Sequence, residues 1–94
     1  MKLLYFAWVR TNIGKAEEEV AAPAHVLTVE DLLDWLATLG PHYAAALDRR
    51  NVIKVAINHE YVEHDHPVRP DDEIALFPPV TGGNKAISSS GRTG

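Results

Sequence analysis

The stretch TVEDLLDWLATLG, residues 28–40, decides the fold because its pattern specifies a helix from start to end. Thr28 suits the N-cap, and the acidic pair Glu30 and Asp31 lies in the first turn, where the helix dipole favours negative charge. Asp31 stands where a full capping box has Glu or Gln, so the match is approximate. The apolar residues recur at helical spacing and form one stripe, at Val29, Leu32, Leu33, Leu36 and Leu39. Gly40 and Pro41 then end the helix.

Two strands are predicted before this helix. Residues Lys2–Val9 are rich in aromatic and branched side chains with little polar alternation, which is typical of a central strand covered on both faces. A short helical turn over Val9–Gly14 leads to Glu17–Ala21, a more exposed strand that forms a hairpin with the first.

Three strands are predicted after it. A shorter helix, from His42 to about Arg49, comes first. Val52–Asn58 then alternates clearly between apolar and polar positions, Tyr61–Val62 is brief, and EIALFP, residues 73–78, is the last strand. Pro78 and Pro79 end it because proline donates no ladder hydrogen bond. The order predicts an α+β fold, one mixed sheet packed on one main helix, which is the outline of a ubiquitin-like β-grasp.

Composition narrows the classes of function. The 94 residues carry a net charge of -4, which argues against nucleic-acid binding. Leaving out Lys85 and Arg92 reduces nine basic residues to seven against 13 acidic ones, so the folded part is acidic, which suits a basic partner or simple solubility. The absence of cysteine excludes disulfides, Cys-ligated zinc and thiol nucleophiles. The N-terminal apolar run is too short for a signal peptide, and a cytoplasmic location is predicted.

A self-contained active site is not apparent. Neither a Gly-rich phosphate loop nor a nucleophile elbow occurs. The ligand-type side chains concentrate at His59, Glu63, His64, Asp65 and His66, but a metal site would need three of them to converge. A solvated polar loop is the ordinary interpretation of this segment.

Two surface features leave alternatives open. Phe6 and Trp8 share a parity in the predicted first strand, so they form either an exposed apolar patch for a partner or part of the core. Arg10 is either a plain surface charge or an interface residue.

The pair Gly82–Gly83 has physical properties that suit a specific role. Two residues without Cβ atoms make a thin, flexible strip that fits a narrow tunnel, and the carbonyl of Gly83 is open to attack from either side. Pro78 and Pro79 would hold this strip away from the sheet. We call Pro78–Gly83 the arm. The alternative, from these residues alone, is the start of a flexible linker.

Three stretches carry a resemblance to a known family: LYFAWVR (residues 4–10), VAINHEYVEHDHPVRPDDEIALF (55–77) and PPVTGG (78–83). Together they resemble the small, sulfur-carrying subunit of molybdopterin synthase (the MoaD type), in the MoaD/ThiS ubiquitin-like family. The resemblance runs from Met1 to Gly83 and implies the same β-grasp fold that the element order predicts.

The resemblance implies chemistry at Gly83, with Gly82 before it. An adenylating enzyme related to the ubiquitin activators would consume ATP to activate the Gly83 carboxylate, and the acyl-adenylate would accept sulfur to become a thiocarboxylate. The arm would then enter the large subunit of molybdopterin synthase and donate sulfur to cyclic pyranopterin monophosphate, forming the dithiolene of molybdopterin. No bound cofactor and no metal site are expected in this chain.

The same resemblance implies the partner contacts. They are expected from Phe6, Arg10, Phe77, Pro78, Pro79, Val80 and Thr81. The large subunit would supply the residues that process the pterin, in a heterotetramer with two large subunits at its centre. This chain would then be a protein co-substrate, and whether it counts as an enzyme stays open.

The segment NKAISSSGRTG, residues 84–94, departs from the family, in which the chain ends at the second glycine. The division predicted is a domain over 1–83 and a polar tail over 84–94 that is disordered by itself. The tail is an expression remnant, a pro-segment that a protease removes, or the mark of a variant that binds without donating sulfur. Two other functions stay open: a carrier for thiamine or another sulfur pathway, and a β-grasp interaction module without covalent chemistry.

Overall fold

The computed structural model describes residues 1–79, which form an α+β fold of one five-stranded sheet and three helices. Strands β1 to β5 span Lys2–Tyr5, Glu17–Glu19, Lys54–Ile57, Glu60–Val62 and Glu73–Phe77. Helices α1 to α3 span Ala7–Ile13, Val29–Ala37 and Pro41–Ala46, and a 3₁₀ turn covers Arg50–Val52. The predicted mixed sheet on a main helix is confirmed. The tail and the flexible Gly82–Gly83 pair, both predicted from sequence, lie outside the described residues.

The sheet has the strand order β2-β1-β5-β3-β4. Two of its three inner strands, β1 and β5, are parallel, with Leu3 opposite Ile74 and Tyr5 opposite Leu76, and the other pairs are antiparallel. Because parallel strands point the same way, the carboxyl ends of β1 and β5 lie side by side at one edge of the sheet. The first and last strands therefore bring Phe6 and Phe77 together.

The core lies between α2 and one face of the sheet. The apolar stripe of α2 is fully buried over Val29, Leu32, Leu33 and Leu36. The sheet contributes the alternate residues that point inward: Leu3, Tyr5, Val55, Ile57, Ile74 and Leu76. None of the helices among residues 1–79 has the length and apolar character needed to cross a membrane.

The start of α2 is a complete capping box. The Asp31 backbone N–H donates to Thr28 Oγ1 at 3.2 Å, and the Thr28 N–H donates to Asp31 Oδ2 at 3.2 Å. Aspartate thus performs the role that Glu or Gln usually has. The sequence prediction of this helix start is confirmed.

The predicted length of the first strand was wrong. β1 ends at Tyr5, and α1 begins at Ala7 rather than near Val9. The chain turns within one residue because Ala7 adopts a left-handed conformation, with φ of 52°. The end of this helix was predicted correctly: Gly14 has φ of 92°, and its N–H donates to the Arg10 carbonyl at 2.8 Å.

Most of the remaining elements end sooner or start later than predicted, but β4 begins at Glu60 and α3 at Pro41, each one residue earlier than predicted. β2 ends at Glu19, β3 starts at Lys54 and α3 ends at Ala46. Asn58 leaves the predicted third strand because Asn58 and His59 have φ of 51° and 75° and form the turn between β3 and β4. α2 ends at Ala37, and β5 ends one residue before Pro78.

Candidate functional site

A stacked pair of aromatic rings marks the edge of the sheet where β1 and β5 end. The rings of Phe6 and Phe77 lie 4.6 Å apart between centroids and 7° from parallel. Tyr61 on β4 approaches Phe77 at 5.8 Å between centroids, tilted by 50°. We call Phe6, Tyr61 and Phe77 the aromatic patch. Tyr61 is 72% exposed and Phe6 is 40% exposed, so the patch faces solvent.

The patch continues onto the face of the sheet that points away from the core. Leu4, Ala75, Ala56 and Tyr61 lie opposite one another in one row across four strands. The two alanines are small, so a shallow trough of about 200 Å³ runs between the larger side chains. A surface with clustered, solvent-exposed aromatics is typical of a protein-docking site.

The arm begins directly beside this patch. Phe77 is the last residue of β5, and the half-buried Pro78 and Pro79 follow it. Val80, Thr81, Gly82 and Gly83 lie outside the described residues, so their predicted roles stay predictions. The aromatic patch therefore lies at the root of the arm.

Arg10 lies one helical turn after Phe6. Its backbone N–H donates to the Phe6 carbonyl at 3.4 Å, which joins the first turn of α1 to the residue that precedes it. In the part of the chain that the structure describes, Arg10 makes no salt bridge, whereas Arg50 pairs with Glu30 and Asp34. Arg10 is thus an exposed cation whose backbone lies one turn from Phe6.

The parity argument for Phe6 and Trp8 was wrong, although both side chains are exposed. Trp8 lies in α1, not in a strand, and lines a separate groove of about 250 Å³ with Asn12 and Arg49. The left-handed turn at Ala7 separates the two aromatics. Phe6 belongs to the aromatic patch and Trp8 does not.

Comparison with known proteins agrees with this geometry. The model of the ThiS family matches residues 3–83. The chain belongs to the ThiS family. The molybdopterin synthase sulfur carrier subunit of Escherichia coli (strain K12) is 42% identical over 83 residues, which cover 88% of this chain and 99% of the relative. The subunit of the same name from Homo sapiens is 34% identical over 86 residues, covering 88% and 93%.

Solved structures show the same fold. SAMP1 from Haloferax volcanii has a TM-score of 0.67 and 30% identity, covering 88% of this chain and 98% of its own. A putative molybdopterin converting factor, subunit 1, from Pyrococcus furiosus has a TM-score of 0.66 and 28% identity, covering 84% and 95%. The predicted ubiquitin-like β-grasp is confirmed. The family match ends at Gly83, the second residue of the glycine pair.

The two histidines after β4 make local polar contacts in the structure. His64 Nε2 lies 2.9 Å from the Ile53 carbonyl oxygen, and its Nδ1 lies 3.7 Å from Glu30. His66 Nδ1 lies 2.8 Å from the Pro67 carbonyl oxygen. Within residues 1–79, no three ligand-type side chains converge on one point. His64 thus contacts the residue before β3 and a side chain of α2, and His66 contacts the residue next to it.

Sequence reasoning missed a polar cluster on the inner side of the sheet. Glu18 Oε2 accepts hydrogen bonds from the Tyr5 hydroxyl at 2.6 Å and the Tyr43 hydroxyl at 2.8 Å, while Lys15 Nζ donates to Oε1 at 3.1 Å. Glu18 lies opposite Leu3 in the register, so it points toward the core while Glu17 and Glu19 point away. This pairing joins β1, β2 and α3.

The contacts within the cluster shift the pKa values of Glu18 and Tyr5. Burial disfavours the charged form of Glu18, but the bonds from Tyr5, Tyr43 and Lys15 outweigh it and lower the pKa of the carboxyl. Burial, followed by the bond to Glu18, raises the pKa of Tyr5 far above its ordinary value. The carboxylate is therefore the stable form of Glu18 at neutral pH.

Sequence reasoning also missed Tyr61 as a member of the site. The residue lies opposite Ala56 on the outer face of the sheet. Its place beside Phe77 follows from the pairing of β3 with both β4 and β5. The alternation of side chains along β3 could have indicated this position. Ala56 points to the outer face, away from Val55 and Ile57, and Tyr61 lies opposite Ala56.

Proposed function

We propose that this chain is the sulfur carrier subunit of a molybdopterin synthase. The observation that carries the proposal is identity of 34–42% to curated subunits of that name, over 87–88% of the chain. The aromatic patch supports it, because a carrier needs a docking surface close to the group that it delivers. The partner is then the large subunit of the synthase.

Gly83 carries the chemistry in this proposal. An adenylating enzyme activates the Gly83 carboxylate with ATP, releasing pyrophosphate, and sulfur then replaces AMP to give a thiocarboxylate. The thiocarboxylate donates its sulfur to cyclic pyranopterin monophosphate in the large subunit. The family match supports this assignment because it ends at Gly83. The active form must end there, since a peptide bond to Asn84 leaves no carboxylate to activate.

The patch and the arm have separate tasks. Phe6, Tyr61 and Phe77 bind the partner, with Arg10 beside them, and apolar burial supplies the affinity. Pro78 and Pro79 stiffen the root of the arm, and Val80–Gly83 reach into the partner. This chain binds no cofactor, the complex is a heterotetramer and the compartment is the cytoplasm.

Reconstitution tests the proposal with three forms of the chain: one ending at Gly83, one ending at Gly82, and the 94-residue form. Each is incubated with the activating enzyme, ATP and sulfide, and then with the large subunit and cyclic pyranopterin monophosphate. We expect molybdopterin only from the Gly83 form. Sulfur transfer by the 94-residue form, or binding to the large subunit without any sulfur transfer by the Gly83 form, would contradict the proposed chemistry. The second result would identify an interaction module.

A further inference from the structure

The backbone is strained at Ala7. Its φ of 52° lies in the left-handed region, which residues with a Cβ atom rarely adopt. The other two such residues in the described chain, Asn58 and His59, form a hairpin turn that requires positive φ. The Ala7 side chain is exposed, so burial of its methyl group does not offset the strain. Strain of this kind persists where the surrounding structure enforces it, often at functional sites.

The other end of the same helix provides a comparison. Gly14 also adopts positive φ, and a Cβ atom built there would meet nothing within 4 Å. The chain thus has glycine at one left-handed position and alanine at the other. What alanine offers over glycine is a narrower range of backbone conformations.

Hydrogen bonds fix the peptide groups on both sides of Ala7. The Phe6 N–H donates to the Leu76 carbonyl at 3.2 Å, and the Phe6 carbonyl accepts from Val9 N–H at 3.1 Å. The Thr11 hydroxyl donates to the Ala7 carbonyl at 3.2 Å. The turn is therefore held between β5 and α1, and it sets the direction in which Phe6 leaves the backbone.

We propose that Ala7 is a positioning residue: its restricted left-handed turn holds the Phe6 ring against Phe77 and so preforms the aromatic patch for the large subunit. This inference rests on the proposed function for the identity of the partner. A preformed patch binds more tightly because fewer side chains lose freedom on association. Ala7 itself makes no contact in this account and acts through Phe6.

Three variants test the inference. Ala7→Gly removes the strain but frees the backbone, Ala7→Asn tolerates the left-handed conformation while keeping a side chain, and Ala44→Gly is the control at an exposed position inside α3. We expect Ala7→Gly to raise the Tm by about 4 °C, and Ala44→Gly to lower it. A lower Tm for Ala7→Gly would overturn the inference, because it would mean that the position is unstrained.

Ring stacking is measured by NMR without any partner. We expect the ring-current shifts of Phe6 and Phe77 to diminish in Ala7→Gly and to persist in Ala7→Asn and Ala44→Gly. Unchanged shifts in Ala7→Gly would overturn the inference whether or not the proposed function holds.

Binding to the large subunit is measured by calorimetry on chains ending at Gly83. We expect the Kd to rise by up to about tenfold in Ala7→Gly, the amount that ordering one side chain accounts for, and to recover in Ala7→Asn. A merely structural role would not weaken binding in a variant that is more stable. Equal Kd values in Ala7→Gly and the wild type would overturn the inference. Absence of binding by the wild type would overturn the proposed function instead, and the NMR result would still decide the stacking.

Discussion

The Phe6 and Phe77 rings stack at 4.6 Å although they come from opposite ends of the described chain. The parallel pairing of β1 with β5 brings them together, and the arm leaves the sheet at the next residue after Phe77. The aromatic patch and the root of the arm thus share one edge of the sheet. In the account above, recognition of the partner and placement of Gly83 are one event.

Removing the Phe77 ring should weaken binding to the large subunit. We expect Phe77→Ala to cost about 2 kcal/mol of binding free energy, roughly 30-fold in Kd, because a central aromatic anchor is lost. Leu39→Ala is the matched control, since Leu39 is an exposed apolar residue outside the aromatic patch. Calorimetry on chains ending at Gly83 makes the comparison. Equal losses in both variants would rule out the patch as the docking site.

Acid should unfold the protein partly through Glu18. The pKa of this carboxyl is lower in the folded chain than its ordinary value of 4.5, so its contribution is present above that pH. The contribution is lost as the pH falls through the folded-state pKa. Glu18→Gln should therefore lower the unfolding free energy by about 1–2 kcal/mol at pH 7. Below pH 4.5 the unfolding free energy of this variant should fall less steeply with pH than that of the wild type. Urea unfolding across this range checks both, and a decline as steep as that of the wild type would refute the assignment.

Alkali should act through Tyr5. Burial and the bond to Glu18 raise the pKa of the Tyr5 hydroxyl above its ordinary value of 10.0, so its contribution is complete below that pH and is lost as the pH rises further. The wild type should lose stability above pH 10.0 faster than Tyr5→Phe does. Tyr61→Phe, which removes an exposed hydroxyl outside the cluster, should follow the wild type. Parallel curves for wild type and Tyr5→Phe would exclude Tyr5 as the titrating group.

Local sequence signals predicted α2 well because the interactions that form this helix lie within the helix and its first turn. The capping box joins Thr28 to Asp31 within one turn, and the apolar stripe repeats along the same helix. The break after Tyr5 was missed because the aromatic and branched run continues through Val9, while the turn at Ala7 depends on a bond from Phe6 to the distant Leu76.

The aromatic patch and the Glu18 cluster depend on strand pairing that local sequence patterns do not reveal. Phe6 and Phe77 were predicted as partner residues through the family resemblance, and their stacking needed the β1–β5 pairing. Tyr61 joins them only through the register of β4. Glu18 resembles its neighbours Glu17 and Glu19 in sequence, and only the pairing with Leu3 shows which glutamate points inward.

The capping box should contribute measurably to stability. Thr28→Ala removes the hydroxyl that accepts the Asp31 N–H, and we expect it to lower the unfolding free energy by about 1 kcal/mol. Thr28→Ser keeps the acceptor and should lose much less. Guanidinium unfolding compares the two. Equal losses would mean that the methyl group of Thr28, not its hydroxyl, stabilises the helix start.

The central claim is that the C-terminal carboxyl of Gly83 carries sulfur. Intact-mass spectrometry of the protein isolated from its own cells tests this claim most directly. The account predicts a chain that ends at Gly83, with a fraction in which sulfur replaces one carboxyl oxygen. A stable chain that extends beyond Gly83 and never carries sulfur would contradict it.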